Sequence, residues 1–455
     1  MDRIAIIGSG FCGTALAIQL LRQARKPLSL TLINRSGQFA RGLAYGTRSA
    51  SHILNVPAER MSLFPDRDGD FLDFARQHLP GASGGDFLPR SLYGDYLQER
   101  LRQAIAGKAA QVGFASLQRQ VLDIREDAAS QQLRLDDGSR LEADRTVIAT
   151  GNFAPTTPAG LGDLDADPRY IRDPWREGAL EAIPATARVL LLGTGLTMYD
   201  MALALQDRGH RGPLLALSRR ALLPHAHRHN SRHPDLPPLP ETLLRLRPRH
   251  LGELLAAIRA FVRNAAGQGH DWRDAMAALR PITPALWHNL DDDERRRFLQ
   301  HLQPYWDVHR HRAAPPVAER IQGLIHSGQL QIQAGRAVGA RREDGGLTVG
   351  IRPRGGSDVR HSTFDYLINC TGPCSDLRRV GEPLLATLLD RGQIQQDTNR
   401  LGLLTDDFRL LDDQGRAHSR LFLLSPMLRA NHWESTAVPE LRQHAEKLAG
   451  VLLGD

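Results

Sequence analysis

Cysteine is scarce: Cys12, Cys370 and Cys374 are the three thiols in 455 residues. Three make no disulfide framework, and none forms a C-x-x-C pair, so dithiol exchange chemistry is excluded. Aromatic residues make up only 5% of the chain. The positive surplus, 58 Lys and Arg against 51 Asp and Glu, is therefore not the basic, aromatic-interleaved block of a nucleic-acid surface. Long apolar runs are missing too. None approaches the roughly 18 to 20 residues of a bilayer span, and the N-terminal apolar stretch is too short and glycine-broken for a signal peptide. A cytoplasmic location is expected, without membrane or nucleic-acid partners; the oligomeric state is left open. With 41% hydrophobic residues over this length, two domains or slightly more with an ample core are expected.

What the chain does have is two glycine-rich turns. GSGFCG (Gly8, Gly10, Cys12, Gly13) follows the apolar run IAII, and GTGLTM (Gly193, Gly195, Met198) follows VLLL. In such a turn a strand passes sharply into a helix, so that backbone N–H groups and the positive helix end meet a pyrophosphate that side chains would block. The first motif is complete and predicts an FAD unit. The second lacks the third glycine, which predicts looser helix-to-strand packing in an NAD(P)H unit. A second repeat supports the pairing. Segments 144–151 and 365–372 each carry an acid (Asp144, Asp365), an apolar strand and Thr-Gly (Thr150-Gly151, Thr371-Gly372). The fold class is α/β: two Rossmann-like dinucleotide-binding domains with a helical insertion in the second.

The expected layout places the first part of the FAD domain at 1–155, the NAD(P)H domain at 156–364 with an insertion at about 222–333, and the rest of the FAD domain at 365–455. The second strand of the first unit ends in Asn34, followed by Arg35, where an acid usually accepts the ribose hydroxyls. Asparagine still accepts a hydrogen bond, without charge. The loops 41–47 and 52–62, which contain Gly42 and Asn55, are suited to wrap a cofactor ring with backbone amides. The second strand of the second unit ends in Ser218, Arg219 and Arg220. Two guanidiniums there fit a ribose 2′-phosphate, so NADPH is favoured over NADH. A basic enzyme binding two polyanionic cofactors, and an anionic substrate, accounts for the net charge of +7.

The insertion carries His225, His227, His229, His233 and the run Asp307-Val-His-Arg-His-Arg312. Zinc would need a carboxylate or Cys partner at ligand spacing, and arginines interrupt every group, so no metal site is expected. Arg228, Arg232, Arg310 and Arg312 point instead to an anion-attracting rim. Near the end, Ala437 precedes a C-terminal helix whose N-terminus would face the flavin pyrimidine edge and stabilise the anionic reduced ring.

The first G-x-G-x-x-G, Gly42 to Thr47, Leu54-Asn-Val-Pro-Ala58 with Met61-Ser62, Ala149 to Asn152, Asp173-Pro-Trp175, Gly193 to Thr197 and Thr436 to Arg442 together resemble bacterial FAD/NAD(P)-binding proteins of the YdhS group, nearly end to end. The chain looks most like the FAD-dependent urate hydroxylase branch, and is more distantly similar to class B flavin monooxygenases and N-hydroxylating amino-acid monooxygenases. The resemblance implies that NAD(P)H reduces FAD, that reduced flavin adds O2 at C4a, and that the hydroperoxide oxygenates a small anionic substrate. Urate, electron-rich at C5, would give 5-hydroxyisourate in purine degradation. His52, Asn55 and Arg60 are the substrate-side candidates; no catalytic base is named. An amino-acid N-hydroxylase and a non-oxygenating flavin reductase are the alternatives.

Overall fold

The computed structural model describes every residue except 128, 230–235, 249 and 455. Arg232 and His233 thus lie outside the described residues. Two seven-stranded sheets and a three-stranded one organise the chain. The strands of the first sheet run in the order 405–406, 409–411, 417–423, 145–148, 2–7, 28–33 and 112–117. Its central strands pair in parallel, Ile4 to Ile7 lying between Leu30 to Ile33 and Arg145 to Ile148. Ile4, Ala5, Ile6 and Ile7 are all buried, as a parallel strand covered on both faces must be, and a continuous apolar run supplies that. The helix Phe11–Gln23 covers one face, buried from Phe11 to Leu21, and packs on Val438–Leu453 and Arg90–Gly107.

The second sheet repeats this plan in the order 360–364, 346–353, 330–343, 214–218, 189–192, 366–369 and 170–171. Here Val189–Leu192 lies in parallel between Leu214–Ser218 and Tyr366–Asn369. This corrects the expected division at residue 365. Tyr366 pairs with Val189 and Asn369 with Leu192, so the strand before Thr371 and Gly372 belongs to the second sheet, and the chain returns to the first sheet only beyond it. The strand closing the insertion starts at Leu330, paired with Leu214, so its first residues precede the limit expected at 333.

Between the strands ending at Ser218 and starting at Leu330, the described chain is mainly helical, from Glu241 to His326. Two small apolar clusters hold it together, one formed around Phe261 and Leu279, the other around Trp287. The second includes Leu401, Ala430 and Trp433, so the insertion of the second domain is packed on the C-terminal segment of the first. Trp287 Nε1 donates to the Ala430 carbonyl at 3.2 Å, and its ring lies 4.4 Å from that of Trp433. No helix among the described residues is long and apolar enough to cross a membrane.

Candidate active site between two dinucleotide units

The two glycine turns have the same geometry. Gly8 sits at φ +109° and Gly193 at φ +116°. Their N–H groups donate to Ile33 and Leu217, the residues in the corresponding place on the neighbouring strand, at 2.8 Å in both cases. A Cβ on Gly8 would lie 2.5 Å from the Ala149 carbonyl oxygen, and one on Gly193 2.5 Å from that of Cys370. Glycine is required there by backbone crossing on backbone. The repeat extends to its acids: Arg3 N–H donates to Asp144 Oδ2 at 2.8 Å, and Arg188 N–H to Asp365 Oδ2 at 2.6 Å. Each carboxylate pins the beginning of the strand that leads to its glycine turn.

The remaining glycines divide by role. A Cβ on Gly13 would strike the Gly8 carbonyl, so that glycine serves helix-to-strand packing. Its counterpart Met198 is fully buried, so the second unit fills this place with side chain. Gly10 and Gly195 are different: an added Cβ would meet nothing nearer than Gly42 Cα at 3.8 Å in the first and nothing within 4 Å in the second. Both are N-caps, Gly10 of Phe11–Gln23 and Gly195 of Leu196–Asp207, and neither helix start has a side-chain cap. Free N–H groups, a positive helix end and an open approach fit a pyrophosphate. Two buried hydroxyls at the first turn, Ser9 Oγ and Thr150 Oγ1, have no hydrogen-bond partner, as expected of groups facing a polar ligand. The residues therefore fit dinucleotides.

Other expected cofactor contacts take more specific places. Gly42, at φ +57°, allows close approach of Gly10, since its Cβ would lie 2.9 Å from Gly10 Cα. The Asn34 amide donates to Ser36 Oγ at 3.1 Å and to the Gln38 carbonyl at 3.0 Å, so it organises its own turn. Cys12 is buried and its pKa is pushed up to about 12 by desolvation, so its thiol stays protonated. Gly151 and Gly372 lie open at the ends of the two crossing strands, the latter at φ +89°, while Thr371 Oγ1 donates to Asn369 Oδ1 at 2.7 Å. Ala437 is the N-cap of the final helix, Val438–Leu453.

Arg219 and Arg220 separate. Arg220 donates to the Gln300 and His301 carbonyls at 3.3 and 3.4 Å, tying the strand end to the insertion. Arg219 is exposed; desolvation and then Arg220 and Arg336 lower its pKa. Arg336, on the neighbouring strand Leu330–Glu343, is a contributor that the local motif did not reveal.

His52 is a correction. Its Nδ1 lies 2.6 Å from Thr47 Oγ1 and its Nε2 3.3 Å from the Asp200 carbonyl, with the Trp175 ring 5.4 Å away. It is 5% exposed, and burial lowers its pKa. A neutral ring held on all sides between the domains is a fastening and does not face a substrate. Asn55 contributes its carbonyl, which accepts from His227 Nε2 at 3.0 Å. Burial, followed by Arg312, takes the His227 pKa down to about 3, so this imidazole is neutral. His225 meets the Trp272 ring edge-on at 5.2 Å and lies tilted against His309 at 4.6 Å, and His229 contacts Glu319 at 2.7 Å.

Arg60 belongs to a cluster of charged side chains drawn from both domains. Burial and then Arg280 lower its pKa, with Arg310 adding to the effect. Arg312 stands in the same group: burial, Arg310, Arg273, Arg228 and Arg60 bring it down to about 10. Around them Arg280 is paired with Glu440, Arg310 with Glu434 at 2.5 Å, and Arg228 with Asp274. Arg60 feels the carboxylate of its neighbour Glu59, but neither Arg60 nor Arg312 has an ion pair or a side-chain hydrogen bond among the described residues; Arg312 has the Trp272 ring 5.9 Å away. Two desolvated guanidiniums with no acid in ion-pair contact are suited to an anion. Several of the linked side chains carry buried polar atoms without partners: Asp307 Oδ1, Arg310 Nε, Arg312 Nε, Arg429 Nε and Glu434 Oε1. Sequence reading saw the arginine rim and the run that begins at Asp307 but gave that carboxylate no role; it gave none to Glu434 and Glu440 either, which approach from a segment far away in the chain.

The comparisons with known proteins agree with the dinucleotide geometry. Residues 5–153 match the FAD-NAD(P)-binding family. Nitrosuccinic acid synthase of Aspergillus oryzae is 34% identical over 125 residues, 26% of this chain and 19% of that protein. The L-aspartate N-monooxygenase (nitrosuccinate-forming) of Streptomyces cremeus is 30% identical over 138 residues, 27% of this chain and 20% of that protein. The chain thus spans about a fifth of the length of these relatives. The structure of ornithine N-hydroxylase from Kutzneria sp. 744 superposes over 99% of this chain and 98% of its own, with a TM-score of 0.65 and 15% identity, a likeness of fold. The two-domain FAD and NAD(P)-binding architecture is therefore established, and FAD with NAD(P)H are its cofactors.

Urate hydroxylation and purine degradation are overturned by these matches, which lead to amine-oxidising enzymes.

Proposed function

We propose that the protein is an FAD- and NAD(P)H-dependent monooxygenase that hydroxylates the amino nitrogen of an acidic amino acid, of which L-aspartate is the first to test. The observation that carries this reading is the unpaired couple Arg60 and Arg312. Each guanidinium presents a planar fork suited to a carboxylate, in a setting where desolvation strengthens the bond. Asp307, whose Oδ1 has no hydrogen-bond partner, offers the opposite charge to the ammonium group. FAD, reduced by NAD(P)H, supplies activated oxygen when bound. The chain's own residues bind, orient and neutralise: Gly10 and Gly195 admit the two pyrophosphates, Arg219 and Arg336 take the 2′-phosphate of NADPH, and Arg60 with Arg312 fixes the substrate so that its nitrogen is presented in one orientation.

Two relatives named for nitrosuccinate formation and aspartate N-oxidation support the acidic class. A basic substrate such as ornithine would bring its side-chain ammonium against unpaired guanidiniums. The proposed domains are 1–155 with the chain beyond about 373 for FAD, and about 156–372 for NAD(P)H. The test is substrate-stimulated NADPH oxidation with oxygen uptake, across aspartate, glutamate, ornithine and lysine. Arg60→Ala and Arg312→Ala should each raise the aspartate KM at least tenfold while leaving FAD content unchanged. Stimulation by ornithine and not by aspartate would replace this reading.

A further inference from the structure

An amine must lose its proton before its lone pair is available for oxidation, and an amino acid at neutral pH arrives as an ammonium. The motif Asp307-Val-His-Arg-His-Arg312, not otherwise used by the dinucleotide sites, places a carboxylate where that proton could go. Asp307 Oδ2 accepts from Gln303 Nε2 at 3.2 Å, while Oδ1 is buried without a hydrogen-bond partner. From the C-terminal segment, Arg429 and Glu434 face it; from its own segment, His311 stands 3.8 Å away. Glu434 Oε2 is occupied by Arg310 at 2.5 Å, so this second acid is already engaged. The side chains of Asp307 and His311 keep 34% and 38% of their accessible area. Burial is nevertheless the leading cause of both pKa shifts.

We propose that Asp307 holds the ammonium group of the substrate and accepts its proton, leaving the neutral amine beside Arg429. This rests on the reading of the chain as an amino-acid N-hydroxylase. The step is R–NH3⁺ plus the Asp307 carboxylate giving R–NH2 plus the Asp307 carboxylic acid. The overall reaction is R–NH2 + O2 + NADPH + H⁺ → R–NHOH + H2O + NADP⁺. An N–H and the O–O bond break, an N–O bond forms, NADPH is the reductant, and the proton consumed is the one Asp307 took. The guanidiniums around the site favour the neutral amine over the ammonium, which lets a weak base suffice. Burial, opposed by Arg429 and Gln303 and reinforced by Glu434, brings the Asp307 pKa up to about 6, closer to neutrality than an ordinary aspartate. His311, brought down to about 3, stays neutral and does not compete.

The test is a pH series on the FAD-loaded enzyme, between pH 5 and 9, with aspartate as substrate. The wild type should lose kcat/KM as pH falls through about 6. Aspartate binding to the oxidised enzyme, read from the flavin spectrum without NADPH, should weaken over the same interval. Asp307→Asn, retaining FAD, should lower kcat at pH 7 at least tenfold, abolish the acidic limb of binding, and recover activity toward pH 9, where free amine is present in solution. Gln303→Leu, which removes a donor to the carboxylate, should move the limb to higher pH. An Asp307→Asn enzyme that keeps the wild-type limb in both readouts overturns the proposal and leaves the N-hydroxylase reading intact. A wild type that hydroxylates no amino acid overturns that reading first, before any variant is made.

Discussion

Arg90 Nη2 lies 3.2 and 3.0 Å from the two carboxylate oxygens of Asp200, joining the first domain to the helix that opens the second. The side chains are 15% and 7% exposed. Arg90 Nε also donates to the Ile53 carbonyl at 3.0 Å, so one side chain anchors both the 52–62 loop and the helix Leu196–Asp207. Arg90→Ala leaves a buried carboxylate without its cation and should cost about 3 to 5 kcal/mol. Chemical unfolding checks this. Arg90→Met with Asp200→Leu should recover most of the loss, because replacing a whole buried pair by apolar residues is often near neutral.

Gly8 and Gly10, two residues apart, should fail in opposite ways. Gly8→Ala forces a side chain into φ +109° and against the Ala149 carbonyl, so it should destabilise or prevent folding. At Gly10 the added methyl meets only Gly42 Cα at 3.8 Å. Gly10→Ala should therefore keep the wild-type unfolding transition to within about 1 kcal/mol, the size of an ordinary helix-cap change, yet lose FAD. Flavin absorbance per mole of purified protein, measured beside thermal unfolding, separates the two outcomes. Full FAD content in Gly10→Ala would remove the first turn from the binding site.

For the reductant, the two arginines at the end of Leu214–Ser218 are not equivalent. Arg219→Ala should raise the KM for NADPH with little change for NADH, a loss of about 1.5 to 3 kcal/mol for one charge-assisted contact. Arg220→Ala, whose guanidinium serves Gln300 and His301, should affect both cofactors alike and chiefly lower stability. Steady-state kinetics with the two nicotinamides decides it, and equal effects of Arg219→Ala on both would contradict the assignment.

Acid should destabilise the fold well above the range where carboxylates titrate. Burial, then His432 and Lys447, bring the His444 pKa down to about 4 from an ordinary value of 6.5. The unfolded chain therefore takes up a proton at this site before the folded one does, and stability falls as pH drops from about 6.5 to about 4. His227 contributes with the same sign down to about 3. His444→Phe, beside the Phe408 ring 5.6 Å away, should flatten this part of the stability curve. Unfolding free energies at pH 7, 6 and 5 measure the slope; an unchanged slope in the variant would contradict the assignment.

The parts of this fold legible in the sequence are those in which geometry demands one residue type. Gly8 and Gly193 show through because no side chain fits their backbone crossings, and Asp144 and Asp365 because the duplication repeats them at fixed spacing. Short apolar runs located the central strands closely: Ile4 to Ile7 was expected and Asp2–Ile7 is observed. Functions set by tertiary partners were not legible. Nothing local distinguishes Arg220, held by carbonyls of the insertion, from Arg219, which faces another arginine across the strand. His52 reads as a loop histidine until the Asp200 carbonyl and Trp175 from the second domain close over it. The charged cluster draws Arg60 from the first domain, Asp307 and Arg312 from the insertion, and Glu434 from the C-terminal segment, a convergence that no single stretch of chain records.

The central claim is that activated oxygen is delivered to the nitrogen of an acidic amino acid. Its most direct test is mass spectrometry of the product formed from L-aspartate by the FAD-loaded enzyme with NADPH and isotopically labelled O2. The account predicts an N-hydroxylated or further N-oxidised aspartate whose nitrogen-bound oxygen carries the label, with product accumulating in step with NADPH consumed. Unaltered aspartate beside hydrogen peroxide, while labelled N-hydroxyornithine or N-hydroxylysine forms from the basic amino acids, would contradict it.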